Sequence, residues 1–344
     1  MKKIFFSLVA LAAIAACSKS EIQYDDQQVE IGLSPVVQKS TKAAEDDNIY
    51  NTNIPMYIFA NTYVDETPTQ FTQPYFANAL FTHRADGIFA GANSHYYWPN
   101  VKTLVFSGLS KSGNVNEENG ATPQYTNANT IQLNGYAPGV GDAQEGDNDL
   151  MWFPTTSPYG KRNTAIEVEM KHACAWVTLN FKGDDVTGVG SNAWRILDIN
   201  FKDLSQSGNV TLGENAIWGE IATGTDFSVY KYTGTNWEDA PSLTYKDEEN
   251  TNYVYVDYTR KDFTDLVVIP QTPKSIFVTY KYESDTVNHI PFTETKEIPL
   301  TLGGANNWVP GYHYTYNITI TTSEILVNPE VESWETANLS DITF

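Results

Sequence analysis

Ala165-Ile166-Glu167-Val168-Glu169-Met170-Lys171-His172-Ala173-Cys174-Ala175-Trp176-Val177-Thr178-Leu179-Asn180-Phe181 is the stretch that decides the fold class. Over 165–170 apolar and charged side chains alternate, so Ile166, Val168 and Met170 share one face of a strand. A second strong strand follows over 175–181. Working outward, short strand candidates recur on both sides: 55–60, 103–108, 130–133 and 149–153 before it, then 194–199, 252–258, 265–270, 275–282 and 312–321 after it. The run 55–60 is apolar throughout and suits burial on both faces. Turn signals separate these runs at intervals typical of a sandwich. With 21 Tyr, 16 Phe and 8 Trp beside many Thr, Val and Ile, the composition favours strands, and no strongly periodic helical segment follows residue 17.

The two ends of the chain carry a similar alternation. Val29, Ile31 and Leu33 lie on one face of a first strand, and Ile325, Val327, Pro329 and Val331 lie on one face of a last one. Pro329 has no N–H for a ladder and places the last strand at an edge or a break. Trp334, Leu339, Ile342 and Phe344 carry apolar groups on to the terminus, where a folded chain buries them against something. Between the first strand and the rest stands Gln38-Lys39-Ser40-Thr41-Lys42-Ala43-Ala44-Glu45, small, polar and charged, which reads as an exposed loop open to proteases.

The N-terminus reads as a lipoprotein signal. Lys2 and Lys3 precede an apolar run over 4–16, which is too short to span a bilayer, and small residues lead to Cys17. Lipid on Cys17 would tether the mature chain outside the cytoplasm. Residues 1–16 are then the signal and 17–28 a flexible tether. The remaining length suits two domains, divided at the Pro- and Gly-containing stretch 154–163, so that 29–162 and 163–344 each form one.

The chain has 344 residues and a formal net charge of −21. So acidic a surface repels phosphate backbones and excludes nucleic acid as a partner class. With Cys17 committed to lipid, Cys174 is alone in an apolar stretch and reads as a small buried hydrophobe; His172, on the same strand face, is the one base near it. The five histidines (His83, His95, His172, His289 and His313) lack metal-site spacing. Asp142, Glu145, Asp147 and Asp149 share one Gly-containing loop and form a weak candidate set for Ca²⁺, although their order is not that of an EF-hand and a solvated acidic loop is the plainer reading. No nucleophile elbow, HExxH or phosphate loop is present, so no cofactor or catalytic residue is assigned. Trp218 and Trp237, in polar surroundings, are the aromatics placed to stack on sugars.

Five blocks together resemble the Bacteroidetes fimbrillin family, the subunits of type V pili. They are the lipobox at Cys17; Tyr97-Trp98-Pro99 followed by Leu104-Val105-Phe106; Asp149-Leu150-Met151 with Val168-Glu169-Met170-Lys171-His172-Ala173; Trp308-Val309-Pro310-Gly311-Tyr312-His313-Tyr314-Thr315-Tyr316-Asn317-Ile318; and Trp334-Glu335. The resemblance implies an all-β chain of two transthyretin-like Greek-key β-sandwich domains in tandem, exported as an outer-membrane lipoprotein. It also implies polymerisation by strand exchange. A trypsin-like protease cuts behind the first strand, here at Lys42 or else Lys39; the first strand (29–37, with Val29, Ile31 and Leu33) leaves; and a donor strand from another subunit enters. The donor candidate is 323–344, with Ile325, Val327, Val331 and Trp334. The partners implied are other pilus subunits, the protease, the membrane through Cys17 before processing, and ligands on host or bacterial surfaces. The alternative is a monomeric glycan-binding lipoprotein of the outer-membrane surface, for which a cleavable first strand has no use.

Overall fold

The protein is described from a computed structural model over residues 28–37, 55–63, 74–100, 102–111, 124–127, 130–138, 149–183, 194–236, 240, 266–283, 291–300, 307–320 and 325–333. These residues form nineteen strands and no helix. In chain order they are β1 (Leu33–Val37), β2 (Met56–Tyr63), β3 (Pro74–His83), β4 (Phe89–Gly91), β5 (Thr103–Lys111), β6 (Gln124–Asn127), β7 (Thr130–Tyr136), β8 (Leu150–Phe153), β9 (Ile166–His172) and β10 (Ala175–Gly183). There follow β11 (Trp194–Leu204), β12 (Gly208–Leu212), β13 (Ala216–Gly219), β14 (Thr225–Lys231), β15 (Leu266–Val268), β16 (Ser275–Glu283), β17 (Pro291–Pro299), β18 (Tyr312–Ile320) and β19 (Ile325–Ser333). The all-β class expected from the alternation is what the chain adopts.

Seven strands close into a barrel in the order β1-β4-β3-β2-β5-β8-β9. Its interior holds Leu33, Ile58, Phe81, Phe89, Phe106, Phe153, Ile166 and Val168. The face predicted for β9 points into that core, with Ile166, Val168 and Met170 all buried. β9 follows the stretch 154–163, where the sequence suggests a division between domains, yet it pairs with β1 and β8. The prolines and glycine of 154–163 build a return along β5: Tyr159 bridges to Leu104 through two hydrogen bonds of 2.8 Å, and Arg162 lies over the Tyr159 ring.

Beyond β9, the sheets β15-β10-β18-β19 and β14-β11-β16-β17 face each other as a sandwich. Val177, Leu179 and Phe181 of one sheet meet Ile199, Phe201 and Val278 of the other, with Trp308 between. A fourth sheet, β13-β12-β7-β6, is drawn from both halves of the chain. Its Leu133, Tyr136 and Val210 pack on Phe59, Leu109 and Trp152 from the barrel. β2 therefore buries both faces, Ile58 inward and Phe59 outward, as its unbroken apolar run predicts.

Only Ala173 and Cys174 join β9 to β10, and they are tied to every neighbouring body. Ala173 N–H donates to Leu150 C=O at 2.8 Å, Gly311 N–H donates to Cys174 C=O at 2.9 Å, and Trp218 Nε1–H donates to Ala173 C=O at 2.7 Å. Beside them buried His172 Nδ1 lies 2.5 Å from Asp149 Oδ2.

Candidate functional site

β1 is the strand that closes the barrel. It pairs parallel with β9 over five residue pairs, from Leu33↔Ile166 to Val37↔Met170, and antiparallel with β4 at one, Leu33↔Phe89. The residues ahead of it continue the attachment. Ile31 N–H donates to Tyr96 C=O at 2.7 Å, and Trp98 N–H donates to Val29 C=O at 2.9 Å. Removing this segment leaves two open strand edges and a trough between them.

The side chains filling the trough are those the alternation predicts. Ile31 and Leu33 are 0% exposed and Val29 packs half-buried against the same core. Each of the two buried residues contributes roughly 1.5–3 kcal/mol of apolar burial. Pro35 is buried as well. Ile166 N–H donates to Gly32 C=O at 2.9 Å, and because alternate residues of a parallel strand face the ladder, Gly32, Ser34 and Val36 are turned to β9. The Pro35 nitrogen is turned the other way, two residues beyond the single β4 pair, so a residue without N–H fits there. Gly32 passes close beneath the turn before β4. A Cβ built on it would stand 2.7 Å from Ile88 Cγ2.

A charged cluster grips the start of the segment. Glu30 Oε2 accepts from Arg84 Nη1 at 3.0 Å, Glu30 Oε1 lies 2.8 Å from His95 Nδ1, and Arg84 Nη2 donates to Asp86 at 3.0 Å. Arg84 and His95 are exposed, so the cluster adds at most about 1 kcal/mol and weakens with salt. Alongside is a cleft lined by Gln28, Tyr75, Tyr96, Tyr97 and Trp98, with Tyr75 O–H donating to Tyr97 C=O at 2.8 Å. Gly32, Glu30, Arg84 and His95 were not singled out by sequence. Their roles depend on contacts between segments far apart in the chain.

The last strand lies elsewhere. β19 pairs antiparallel with β18 over nine residue pairs, from Tyr312↔Ser333 to Ile320↔Ile325, and forms an edge of its sheet. Ile325 and Val327 rest half-buried on the sandwich core, while Leu326 is 51% and Val331 45% exposed. On the other face Asn180 Nδ2 donates to Asn317 Oδ1 at 3.1 Å, and Asn317 Nδ2 donates to Glu330 Oε1 at 3.0 Å.

Cys17, Lys39, Lys42, Asp142, Glu145, Asp147, Trp237 and Trp334 lie outside the described residues. Asp149 is buried against His172, which occupies one of its oxygens. No group of three His, Cys, Asp or Glu placed to hold a metal occurs among the described residues. Cys174 is 0% exposed; burial pushes its thiol up, and the nearby Asp149 charge adds to that, which disfavours the thiolate. Trp218 is half-buried on the β13-β12-β7-β6 core with its indole N–H spent on Ala173, so it is not the open sugar platform that its polar sequence neighbours suggest. On this edge strand the solvent side falls to Ile217, 66% exposed.

The sequence profile of a family described as fimbrillin-like matches residues 41–334. No curated protein matches the chain. Among solved structures, a fimbrial protein from Bacteroides vulgatus is similar with a TM-score of 0.64 at 16% identity, over 89% of this chain and 99% of the other. Candidate cell adhesion proteins from Bacteroides uniformis (TM-score 0.55, 14% identity, 91% and 100% covered) and Bacteroides ovatus (0.52, 12%, 91% and 100%) are similar too. At these identities the likeness is one of fold.

Proposed function

This chain belongs to the fimbrillin-like family, and on that premise we propose that it is a structural and adhesive subunit of a fimbria, exported as a lipoprotein on Cys17 and polymerised by strand exchange. The observation that carries the reading is the position of β1: the first described strand of the chain closes the barrel, with five pairs on one side and one on the other. A cut in 39–43, at Lys42 or Lys39, separates that strand covalently from everything that follows. The groove between β9 and β4 is then open to a strand from another subunit, which restores the ladder and refills the pockets of Ile31 and Leu33. Nothing in this scheme requires an enzyme site. The chain acts at the cell surface with other pilus subunits as partners, a trypsin-like protease as the trigger, and the membrane as a temporary anchor.

The test is limited trypsin treatment of the purified chain. A cut within 39–43 should be followed by SDS-resistant ladders and by filaments in the electron microscope. A clean cut at that loop with the protein remaining monomeric sinks the reading. Binding to a glycan array by the uncut monomer would then favour the glycan-binding lipoprotein.

A further inference from the structure

We propose that the cleft beside the first segment is a binding site for a neutral oligosaccharide. It rests on the adhesive role proposed above, to which it gives a ligand class and a place in the uncut chain.

One short stretch builds most of the site, His95-Tyr96-Tyr97-Trp98-Pro99-Asn100. Over 95–99 the side chains alternate as on a strand. Tyr96 and Trp98 pack against the barrel core, which leaves His95, Tyr97 and Pro99 on the other side. Three rings therefore stand in a row along the cleft, and Tyr75 of β3, 41% exposed, adds a fourth.

The rings are set before any ligand arrives. Tyr75 O–H donates to Tyr97 C=O at 2.8 Å. The Tyr97 ring stacks on His95 with centroids 6.2 Å apart, and His95 Nδ1 is held 2.8 Å from Glu30 Oε1. On the inner side Tyr96 packs on Phe76 at 4.4 Å and lies nearly parallel to Phe81, and Trp98 meets Phe106 edge-on. A wall fixed in this way spares a ligand the cost of ordering it.

The chemistry of the lining selects the ligand. The cleft encloses about 850 Å³, which is within the range of small-molecule sites and exceeds the needs of a single sugar ring. Aromatic faces take the C–H faces of a pyranose. The amides of Gln28 and Asn100 and the phenols of Tyr75 and Tyr97 offer donors and acceptors to its hydroxyls. The Trp98 indole N–H, buried under the same wall, has no acceptor among the described residues, so one more donor remains to be met. Among the described residues no Asp, Glu, Lys or Arg lines the cleft. The neighbouring Glu30 spends both carboxylate oxygens on Arg84 and His95. With a net charge of −21 on the chain, an acidic sugar is repelled and meets no Lys or Arg in the lining to hold it.

The uncut full chain carrying Cys17→Ser, which takes no lipid, is titrated with maltotetraose, chitotetraose and lacto-N-tetraose, and with sialyllactose as the charged comparison, by saturation-transfer NMR. At least one neutral probe should bind saturably with a Kd below about 1 mM. Sialyllactose should bind about ten-fold more weakly than that probe, or not at all. Tyr75→Ala and Tyr97→Ala should each weaken the best neutral probe about ten-fold, whereas Tyr75→Phe, which keeps the ring, should stay within about two-fold. Asn100→Ala, at an exposed position, should weaken it about three-fold. Denaturant midpoints check that each variant folds, and where Tyr97→Ala does not, Tyr75→Ala and Asn100→Ala decide. No saturable binding of any neutral probe, undiminished binding by Tyr75→Ala and Asn100→Ala, or tighter binding of sialyllactose each overturns the proposal. Because binding is read on the uncut chain, its failure is distinct from that of strand exchange. Polymer from the cut chain without saccharide binding overturns this site alone, and saccharide binding without polymer upholds the site while strand exchange falls.

Discussion

β1 and β10 open the two halves of this molecule in the same way, and they are held very differently. Each lies parallel to a much later strand, β1 to β9 and β10 to β18. β1 makes five pairs in that ladder and one with β4; β10 makes eight and adds three with β15. β10 also follows β9 after two residues that hydrogen-bond to the barrel, the sandwich and the sheet between them. β1 has no such junction ahead of it within the described residues. The apolar drive is similar for Leu33 and Leu179, one 0% and the other 3% exposed. The two strands differ in the number of ladder pairs and in the covalent tie at the strand's start, and hardly in the hydrophobicity of the inward face.

The sharpest way to break this contrast is to truncate one inward side chain in each strand. Phe181→Ala in β10 should cost about 3–5 kcal/mol and lower the main unfolding transition in denaturant. Leu33→Ala in β1 should cost about 2–5 kcal/mol and in addition speed assembly of the cut chain, because the leaving strand is held less firmly. Equal effects of the two changes on unfolding, with no change in assembly, would end the distinction. Gly32→Ala should cost about 1–3 kcal/mol through crowding against Ile88, read by the same denaturant curves; a neutral result would mean that the turn at 84–89 yields easily.

Alkaline pH sharpens the comparison from another side. The sandwich buries Tyr280, Tyr314 and Tyr316, whereas against the barrel, among the described residues, the one fully buried tyrosine is Tyr136, on its outer face beside Phe59, Leu109 and Trp152. Burial holds the Tyr316 phenol well above its ordinary value of 10.0, against the smaller opposite pull of the Trp308 indole N–H donated to its oxygen. Below pH 10 this phenol is neutral in both folded and unfolded chains. Above it the unfolded chain loses protons that the folded one keeps, so stability falls as pH rises, by about 1.4 kcal/mol per pH unit for each tyrosine held neutral. Unfolding followed from pH 9 to 12 should show the sandwich yielding before the barrel, and Tyr316→Phe should flatten the slope. The smallest effect is expected at the grip on the first segment. Glu30→Gln should cost under about 1 kcal/mol, and less still in 0.5 M salt, seen as slightly faster trypsin cleavage in 39–43 at low salt only.

The parts of this fold that are legible in sequence are those with local cause. The alternation of Ile166, Val168 and Met170, the two-sided burial of the run containing Ile58 and Phe59, and the edge position of the Pro329 strand all follow from side-chain period and a missing N–H. The β13-β12-β7-β6 sheet is not legible, because β7 meets β12 from the other half of the chain through a shifted register. The stretch 154–163 reads as a linker from its prolines and glycine, and only the distant pairing of Tyr159 with Leu104 makes it a return along β5. Asp149 reads with its acidic neighbours, but it stands at the start of β8, and β8 lies against β9, which brings His172 to it. At the site, the three apolar residues of the first segment are visible in their spacing. The need for glycine at 32 is invisible until Ile88 is known to lie over it.

The two-residue junction at Ala173 and Cys174 also has a mechanical meaning. A pull on a strand seated beside β9 is carried across that ladder, through the junction into β10, and from β10 across to β18 and β19. A pull along the strand axes loads the rungs of a ladder together instead of opening them one after another, and β9 and β10 each carry such a ladder, one on either side of the junction. Tension along β9 then reaches β10 through Ala173–Cys174, which hydrogen bonds brace on three sides as a rivet between the two strands.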